Sequence, residues 1–286
     1  MPQAQYDEAV QPLSNRCYET VKRLVYEKAG IDLSAGKQQL IAARLAKLVR
    51  LHKLRSYDEY VEQLLADRTT NSLVELIDAI STNFTSFLRE PAHFDFMRKT
   101  VLPAIKDRSE IRVWCAASAT GEEPYSLVFT AYEELGPLTG RSFRLLATDI
   151  STKALATARK GIYSQDRFTP VPKDWLPKYL LRGERESAGL FQVKPEIRQQ
   201  VEFKQLNLIE SFDLHATFPL ISCRNVMIYF DKPTQQRVMD RLVAHLEPGG
   251  YLFIGHSDGL AGVNHPLRFI QPAIYQKAGA LGGRSR

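Results

Sequence analysis

Two adjacent carboxylates, Glu122 and Glu123, close a loop of small residues in the stretch IRVWCAASATGEEPYSL, residues 111–127. Such a loop between a strand and a helix lets a ligand approach the backbone closely, as in phosphate and dinucleotide sites. Two carboxylates in its mouth would repel a pyrophosphate but suit a ligand that carries positive charge. Three more polar groups follow in comparable settings: Asp149 after FRLLAT, Asn207-Leu208 after VEFKQL, and Arg224-Asn225 after PLISC. An acid roughly 20 to 30 residues beyond the loop suits bidentate hydrogen bonds to a ribose diol. Its competing role is the N-cap of the next helix, which Ser151 or Thr152 could fill instead. S-adenosylmethionine matches these requirements, being an adenosine with a sulfonium and an ammonium where a dinucleotide has phosphates.

The elements that must carry these groups alternate between strand and helix. The pattern predicts strands over 111–115, 143–148, 201–206, 219–223 and 251–255, with a last one around 273–277. Helices are expected over 124–134, 153–160 and from Pro233-Thr234 to 246; a proline suits the first helical turn because its missing N–H has no partner there anyway. Each polar group then follows a parallel strand. In an open α/β sheet ligands bind outside those carboxyl ends, so four sites converge on one crevice. Residues 162–205 break the alternation with Pro170, Pro172, Pro177, Gly183 and Gly189. The runs LFQV and QVEFKQL read as short strands around a turn, and RGERESAG (182–189) as an exposed hairpin tip. We take this as a small antiparallel insertion, bounded at about 162–206, that grips something outside the main fold.

The chain before residue 88 is helical in pattern. One helix over 18–29 ends at Gly30, a usual left-handed stop, and a second begins after Ser34, a suitable N-cap. In the second, Ile41, Leu45 and Leu48 make an inward stripe, leaving Arg44, Lys47 and Arg50 towards solvent or a partner. No acid lies between Asp32 and Asp58, while Lys37, Arg44, Lys47, Arg50, Lys53 and Arg55 do. That basic ridge is either a solvated face or a surface for an acidic partner, a protein helix or nucleic acid. Further helices are expected over 57–66 and 72–80. The expected domains are 1–88 and 89–286. At their join, STNFTSFLREPAHF (81–94) sets Asn83, Thr85 and Arg89 among Phe84, Phe87 and Phe94, either a capped helix end or part of a ligand site.

Composition bounds the class. The chain has 286 residues, 44% hydrophobic and 24% charged, with a net charge of +6, the profile of a soluble globular protein. No apolar run approaches the roughly 20 residues that span a bilayer, and no signal pattern opens the chain; a cytoplasmic location is expected. Cys17, Cys115 and Cys223 are scattered and odd in number, which argues against disulfides or a zinc site. The six histidines show no HxxxH or HxH spacing, and neither a GxSxG elbow nor a GxxxxGK[ST] loop occurs. No metal is expected. His256, in GHSDG, is the histidine placed at a strand end.

TNFTSFLRE, VWCAASATGEEPYS, ATDIS followed by ARKGIY, NL, SCRNVMIYFDK and EPGGYLFIGHS resemble, in order and spacing, the CheR-type chemoreceptor glutamate O-methyltransferases. The likeness covers residues 18–277. Its GEEPYS and CRNVMIYF blocks depart from generic methyltransferases, where GxGxG is usual. The resemblance implies a class I S-adenosylmethionine methyltransferase fold, with a Rossmann-like mostly parallel sheet, a small helical N-terminal domain and a small antiparallel β insertion. It implies methyl transfer from S-adenosylmethionine, leaving S-adenosylhomocysteine, to glutamate side chains on the cytoplasmic helical bundle of a chemoreceptor. Cofactor contacts would fall on Asn83, Thr85, Arg89, Glu123, Asp149, Asn207, Leu208, Arg224 and Asn225. Tyr229, with Arg89, would orient the incoming carboxylate. The helical domain would recognise glutamate-rich helices, with Lys37, Arg44, Lys47 and Arg50 steering them, and the insertion could dock a receptor's C-terminal peptide. A monomer is expected. A glutamate is already ionised near neutral pH, its reference pKa being about 4.3, so no general base is required. Two rivals share the crevice: a nucleic-acid methyltransferase, for which RNVMIY is a poor aromatic clamp, and a sensor that binds the cofactor without chemistry.

Overall fold

The computed structural model describes residues 12–33, 37–67, 71–81, 83–136 and 142–281. Two compact units emerge, Met1–Thr82 and Asn83–Arg286. The boundary falls ahead of the one expected after residue 88, and Phe87 explains why. Its ring is fully buried in the second unit, stacked on Phe168 at 4.5 Å between centroids and edge-on to Tyr163 at 5.2 Å.

The first unit holds α1 (Asn15–Ala29), α2 (Gln38–Leu51), α3 (Tyr57–Ala66) and α4 (Asn71–Ile80). The Ser14 hydroxyl caps α1 by accepting the Cys17 N–H, and Gly30, at φ 69°, ends it. Ser56 caps α3 in the same way. Ile41, Leu45, Leu48 and Val49 are the buried face of α2, joined in one core by Val21, Val25 and Leu76. The N-cap expected at Ser34 lies outside the described residues.

In the second unit a helix runs through α5 (Pro91–Phe96), a π-helical stretch Met97–Val101 and α6 (Leu102–Ile105). Pro103 would clash with the carbonyl of residue 99 in a regular α-helix, and the wider π turn relieves that contact. There follow β1 (Glu110–Cys115), α7 (Glu122–Leu135), β2 (Ser142–Asp149), α8 (Thr152–Lys160), β3 (Ile162–Ser164), α9 (Leu176–Tyr179), β4 (Leu180–Arg182), β5 (Leu190–Val193) and α10 (Pro195–Arg198). The remainder is β6 (Val201–Gln205), β7 (Phe218–Cys223), α11 (Lys232–His245), β8 (Leu246–Ile254), β9 (Leu267–Gln271) and β10 (Ile274–Lys277).

One sheet has the order β6-β2-β1-β7-β8-β10-β9. Its first five strands are parallel, and β10 is antiparallel to both neighbours. Strand order reverses at β1, the switch point where an open sheet of this kind leaves a crevice. Alternate β1 residues face opposite layers: Ile111, Val113 and Cys115 pack with Val128 and Phe129, while Trp114 packs with Val238 and Met239. Helices therefore cover both faces, which is why these strands read as near-continuous apolar runs.

Four expectations change. Val201–Gln205 belongs to the main sheet, paired parallel with β2 from Leu145↔Val201 to Asp149↔Gln205, so the antiparallel insertion is the three-stranded sheet β3-β5-β4 and does not reach 206. A short apolar-polar run carries no mark of which sheet it will join. Helix α7 begins at Glu122, ahead of Pro124, because Gly121 at φ 102° turns the chain directly into it. Strand β8 starts at Leu246, taking in the Pro-Gly-Gly run at a register shift opposite Phe218 and Leu220. Finally, β9 was not expected. Pro137 of the loop before β2 and the tail beyond 281 lie outside the described residues. Among the described residues no helix is long and apolar enough to cross a membrane.

A Cβ on Gly121 would stand 2.6 Å from the Tyr163 hydroxyl and 2.8 Å from the Ala158 Cβ, on a backbone at φ +102°. Gly121→Ala should lower stability by about 1–3 kcal/mol, read as a shifted urea midpoint. An unchanged midpoint would show that the loop can move away at no cost.

Candidate active site

The loop after β1 is folded over the end of β2. Asp149 receives the Ala119 N–H on Oδ2 at 2.8 Å and the Ser151 N–H on Oδ1 at 2.9 Å. Ser151, not Asp149, caps α8, its hydroxyl accepting the Ala154 N–H at 3.0 Å. The Asn83 side-chain amide donates to the same hydroxyl at 3.4 Å. Ser118 contributes a buried Oγ with no hydrogen-bond partner among the described residues. Asn83, Ser118, Ala119, Asp149 and Ser151 thus gather at the carboxyl ends of β1 and β2. Asn207 and Leu208 follow β6, the neighbour of β2; the Asn207 side chain is engaged with Glu210 and the Ile209 N–H, and the Leu208 carbonyl accepts from Arg241 at 3.0 Å.

The two loop acids do not present open negative charge. Glu122 is buried, paired with Arg167 and hydrogen-bonded by the Thr120 hydroxyl at 2.6 Å. Glu123 accepts from Ser222 Oγ at 2.6 Å and from Cys115 Sγ at 3.5 Å on one oxygen, and from Arg224 at 3.0 Å on the other. Each loop acid is therefore met by an arginine inside the protein, Arg224 being shared with Glu90. The counter-charge argument drawn from their spacing fails here, because the partners come from segments far away in sequence. Burial also pushes the Cys115 and Cys223 thiols well above their ordinary pKa, leaving both inert.

Arg224, 4% exposed, is the hub of the far side. One nitrogen meets Glu123; another meets the Arg89 carbonyl and, at 3.1 Å, Glu90 Oε2. Burial alone would lower its proton affinity, but Glu123 and Glu90 outweigh that and hold it above its ordinary value. Glu90 also accepts from the Asn225 amide at 3.4 Å and from the His256 N–H at 3.2 Å. Burial would raise its pKa; Arg224 and the His256 amide bring it below the usual carboxylate value. Leu88, Glu90 and Asn225 all have left-handed backbones, at φ 51°, 58° and 57°. Arg89 lies between the first two, half-buried, with its guanidinium donating to the Phe84 carbonyl at 3.1 Å. Tyr229 ends a 3-10 turn, Met227–Tyr229, in the polar elbow over 225–229 that follows β7.

Glu90, His93 and His256 could together offer ligand atoms to a metal, lying within 4.8 Å of one another. Glu90 Oε2, however, is already engaged by the Arg224 guanidinium at 3.1 Å. His93 is buried beside that guanidinium. Desolvation and then Arg224 push its pKa down to about 4, and its Nδ1 lies 3.4 Å from Glu90 Oε2.

Sequence reasoning missed Glu90, Arg167 and Asp258. The last is a buried carboxylate that accepts backbone N–H groups from Asn225, Gly255 and Ile228. Only the polarity of FLRE and GHSDG hinted at Glu90 and Asp258, and nothing local marked Arg167. In the first unit the basic ridge divides. Lys47 and Arg50 are exposed and Lys37 is half-buried with its amine 3.3 Å from the Asp32 carbonyl, but Arg44 turns back onto the C-terminal carbonyls of α4 at Ala79, Ile80 and Ser81. Those carbonyls lack helical partners and carry the negative end of the helix dipole, which explains the correction.

Residues 83–275 match the family model described as CheR methyltransferase, SAM binding domain, and residues 17–81 match its partner, CheR methyltransferase, all-alpha domain. This chain belongs to the CheR methyltransferase family. It is 38% identical over 262 residues to chemotaxis protein methyltransferase 2 of Pseudomonas aeruginosa, covering 91% of this chain and 92% of that one. It is 40% identical over 263 residues to the chemotaxis protein methyltransferase of Borreliella burgdorferi, covering 89% and 92%. With the Escherichia coli chemotaxis protein methyltransferase the identity is 36% over 264 residues, covering 92% and 91%. As a CheR methyltransferase the chain is an S-adenosylmethionine-dependent enzyme, and its crevice fits that donor. An oriented acid at the end of β2, amides at 83, 207 and 225 and an unpartnered buried hydroxyl at 118 are groups that a nucleoside with an amino-acid tail can satisfy.

Two outcomes follow for this CheR site. Arg224→Leu leaves Glu123 and Glu90 buried without their shared cation and should cost about 3–5 kcal/mol in chemical denaturation; a loss below about 1 kcal/mol would show the network to be dispensable. Between pH 6.5 and about 4 the unfolded chain binds a proton at residue 93 that the folded chain does not, so stability should fall as pH drops through that window. His93→Leu should flatten that part of the curve of urea midpoint against pH.

Proposed function

We propose that the chain methylates glutamate side chains on the cytoplasmic helical bundle of chemotaxis receptors, giving methyl esters for sensory adaptation, and that it does so in the cytoplasm. What carries this reading is the match of both CheR domains along the chain, together with a crevice whose polar groups converge at the switch point of the sheet. When bound, S-adenosylmethionine supplies an electrophilic methyl on a sulfonium. Asn83, Thr85, Arg89, Asp149, Asn207, Leu208 and Asn225 would hold it, Asp149 taking the ribose hydroxyls with a carboxylate already oriented by two backbone amides. Glu123 and Arg224, expected as contacts, are assigned instead to the support beneath, since their side chains are turned towards each other.

The acceptor glutamate needs no base, so the residues around it have to align it and exclude water. Arg89 and Tyr229 would hold one carboxylate oxygen while the other attacks. A very strong hold on that oxygen would stabilise the charged ground state and slow transfer. Arg89 is already engaged with a backbone carbonyl, which moderates its grip. Lys47 and Arg50, with Lys37 behind them, would attract glutamate-rich helices; Arg44 secures α4 rather than reaching out. On the insertion, β3 and β4 are the two edges of the small sheet, with Ile162 and Leu181 exposed on them. An extended receptor C-terminal peptide could add to such an edge as a further strand.

Purified protein given radiolabelled S-adenosylmethionine and receptor membranes should place a base-labile label on receptor. Label on RNA instead, or cofactor binding without transfer, would favour the nucleic-acid enzyme or the sensor. Arg89→Ala should mainly raise the dissociation constant for S-adenosylhomocysteine and Tyr229→Phe should mainly lower turnover, each by about tenfold or less; full activity with unchanged affinity in Arg89→Ala would contradict this division. Lys47→Glu with Arg50→Glu should depress methylation and flatten its salt dependence.

A further inference from the structure

The loop after β8 is exposed at His256, Ser257 and Gly259, yet Asp258 in its middle is 6% exposed. Its carboxylate collects three backbone N–H groups: Asn225 at 2.5 Å, Gly255 at 2.7 Å and Ile228 at 3.2 Å. Two of these donors lie on the elbow after β7 and one at the end of β8, so a single side chain pins the two strand ends together. The approach is close. A Cβ on Gly255 would stand 2.3 Å from the Asn225 amide nitrogen and 2.7 Å from its backbone nitrogen. From the other direction Glu90 accepts the Asn225 side chain and the His256 N–H. Asn225, held at φ 57°, is thereby gripped by one carboxylate on its backbone and another on its side chain.

The two elbow residues given roles above are Asn225 and Tyr229, and Ile228, which donates to Asp258, is the neighbour of Tyr229. We propose that Asp258 is a positioning residue for methyl transfer, fixing the elbow over 225–229 so that Asn225 reaches the donor and Tyr229 the acceptor carboxylate. This rests on the function proposed above. Met227 of the elbow belongs to one apolar cluster with Leu260 and Val263, so the elbow has an apolar anchor besides the carboxylate. Three donors on one carboxylate suit an ion that only accepts. An asparagine there would turn an N–H pair towards at least one of the donors, leaving a buried N–H unpaired.

The test uses the full chain and the variants Asp258→Asn and Gly255→Ala, which disturb the elbow from opposite sides. Turnover and KM on receptor membranes, calorimetric titration with S-adenosylhomocysteine, and thermal unfolding would be measured for each. In Asp258→Asn turnover should fall by about tenfold or more, because small misplacements of aligning groups are costly. KM for receptor should change by less than about threefold and product affinity should weaken by about three- to tenfold; the unpaired N–H lowers the unfolding midpoint, but the chain should stay fully folded at the assay temperature. Gly255→Ala should move turnover and product affinity in the same direction with a larger loss of stability, since its Cβ would overlap the Asn225 backbone nitrogen; its product titration, run well below its unfolding midpoint, decides the matter should Asp258→Asn not fold. Parental turnover and product affinity in either folded variant would overturn the positioning role, as would losses that disappear when the assay is run well below the variant's unfolding midpoint. If the parent chain leaves receptor unlabelled, the proposed function falls, and the product titration of the variants still decides whether Asp258 positions Asn225.

Discussion

A single buried guanidinium holds the crevice together. Arg224 joins the end of β7 to the first turn of α7 through Glu123, and to the segment before α5 through Glu90 and the Arg89 carbonyl. Placing three charges out of water is costly, and it succeeds only when geometry and further hydrogen bonds compensate. Here they do: Ser222 and Cys115 complete Glu123, while Asn225 and the His256 amide complete Glu90. Arginine rather than lysine is required, since a planar fork can serve acceptors in different directions at once, and a compact ammonium cannot fix all of them in one plane. Once that fork is seated, the positions of Arg89, Glu90 and Asn225 are largely set.

Internal pairing also changes the electrostatics of the reaction. Methyl transfer to a carboxylate consumes opposite charges, so strong fixed charge beside the reacting atoms would favour the ground state over the transition state. Glu122 and Glu123, read alone, would make the crevice strongly acidic. Paired with Arg167 and Arg224 they contribute shape and rigidity with little net field. Arg167 comes from the short helical turn after β3 and also donates to the Thr85 carbonyl at 3.0 Å, while Tyr163 of β3 donates to the Thr120 carbonyl at 2.7 Å. The inner side of the insertion is thus part of the wall of the cofactor loop, leaving its outer edges for a partner.

What was legible in the sequence was local. The strand ends at Cys115 and Cys223 follow from apolar runs stopped by small or polar residues, with β2 running one residue further than expected, to Asp149, and four-and-three spacing identifies the buried stripe of α2. Side-chain partners were not legible, because Arg224 and Glu123 are 101 positions apart and Arg167 and Glu122 are 45 apart, with nothing in either neighbourhood to announce the pairing. The same holds for Arg44, whose helical position allows an outward direction that the C-terminus of α4 overrides. β6 was read both as the parallel strand before Asn207 and as part of the insertion, and only the first reading holds, because its residues would suit an edge in either sheet.

Backbone conformation points to how such a site works. Of the non-glycine residues with left-handed backbones, Leu88, Glu90, Ala119 and Asn225 all border the crevice. Each is held there by a specific hydrogen bond of its own: the Leu88 N–H to Ser126 at 2.9 Å, the Glu90 carboxylate to Arg224, and the Ala119 and Asn225 amides to Asp149 and Asp258. Such conformations cost about 1–3 kcal/mol each and persist only when the surroundings over-determine them. A protein that tolerates several of them in one place has exchanged stability for a fixed arrangement of groups. That exchange is intelligible when the acceptor is already ionised and the remaining barrier lies in alignment and the exclusion of water, which a rigid rim supplies and a flexible one does not.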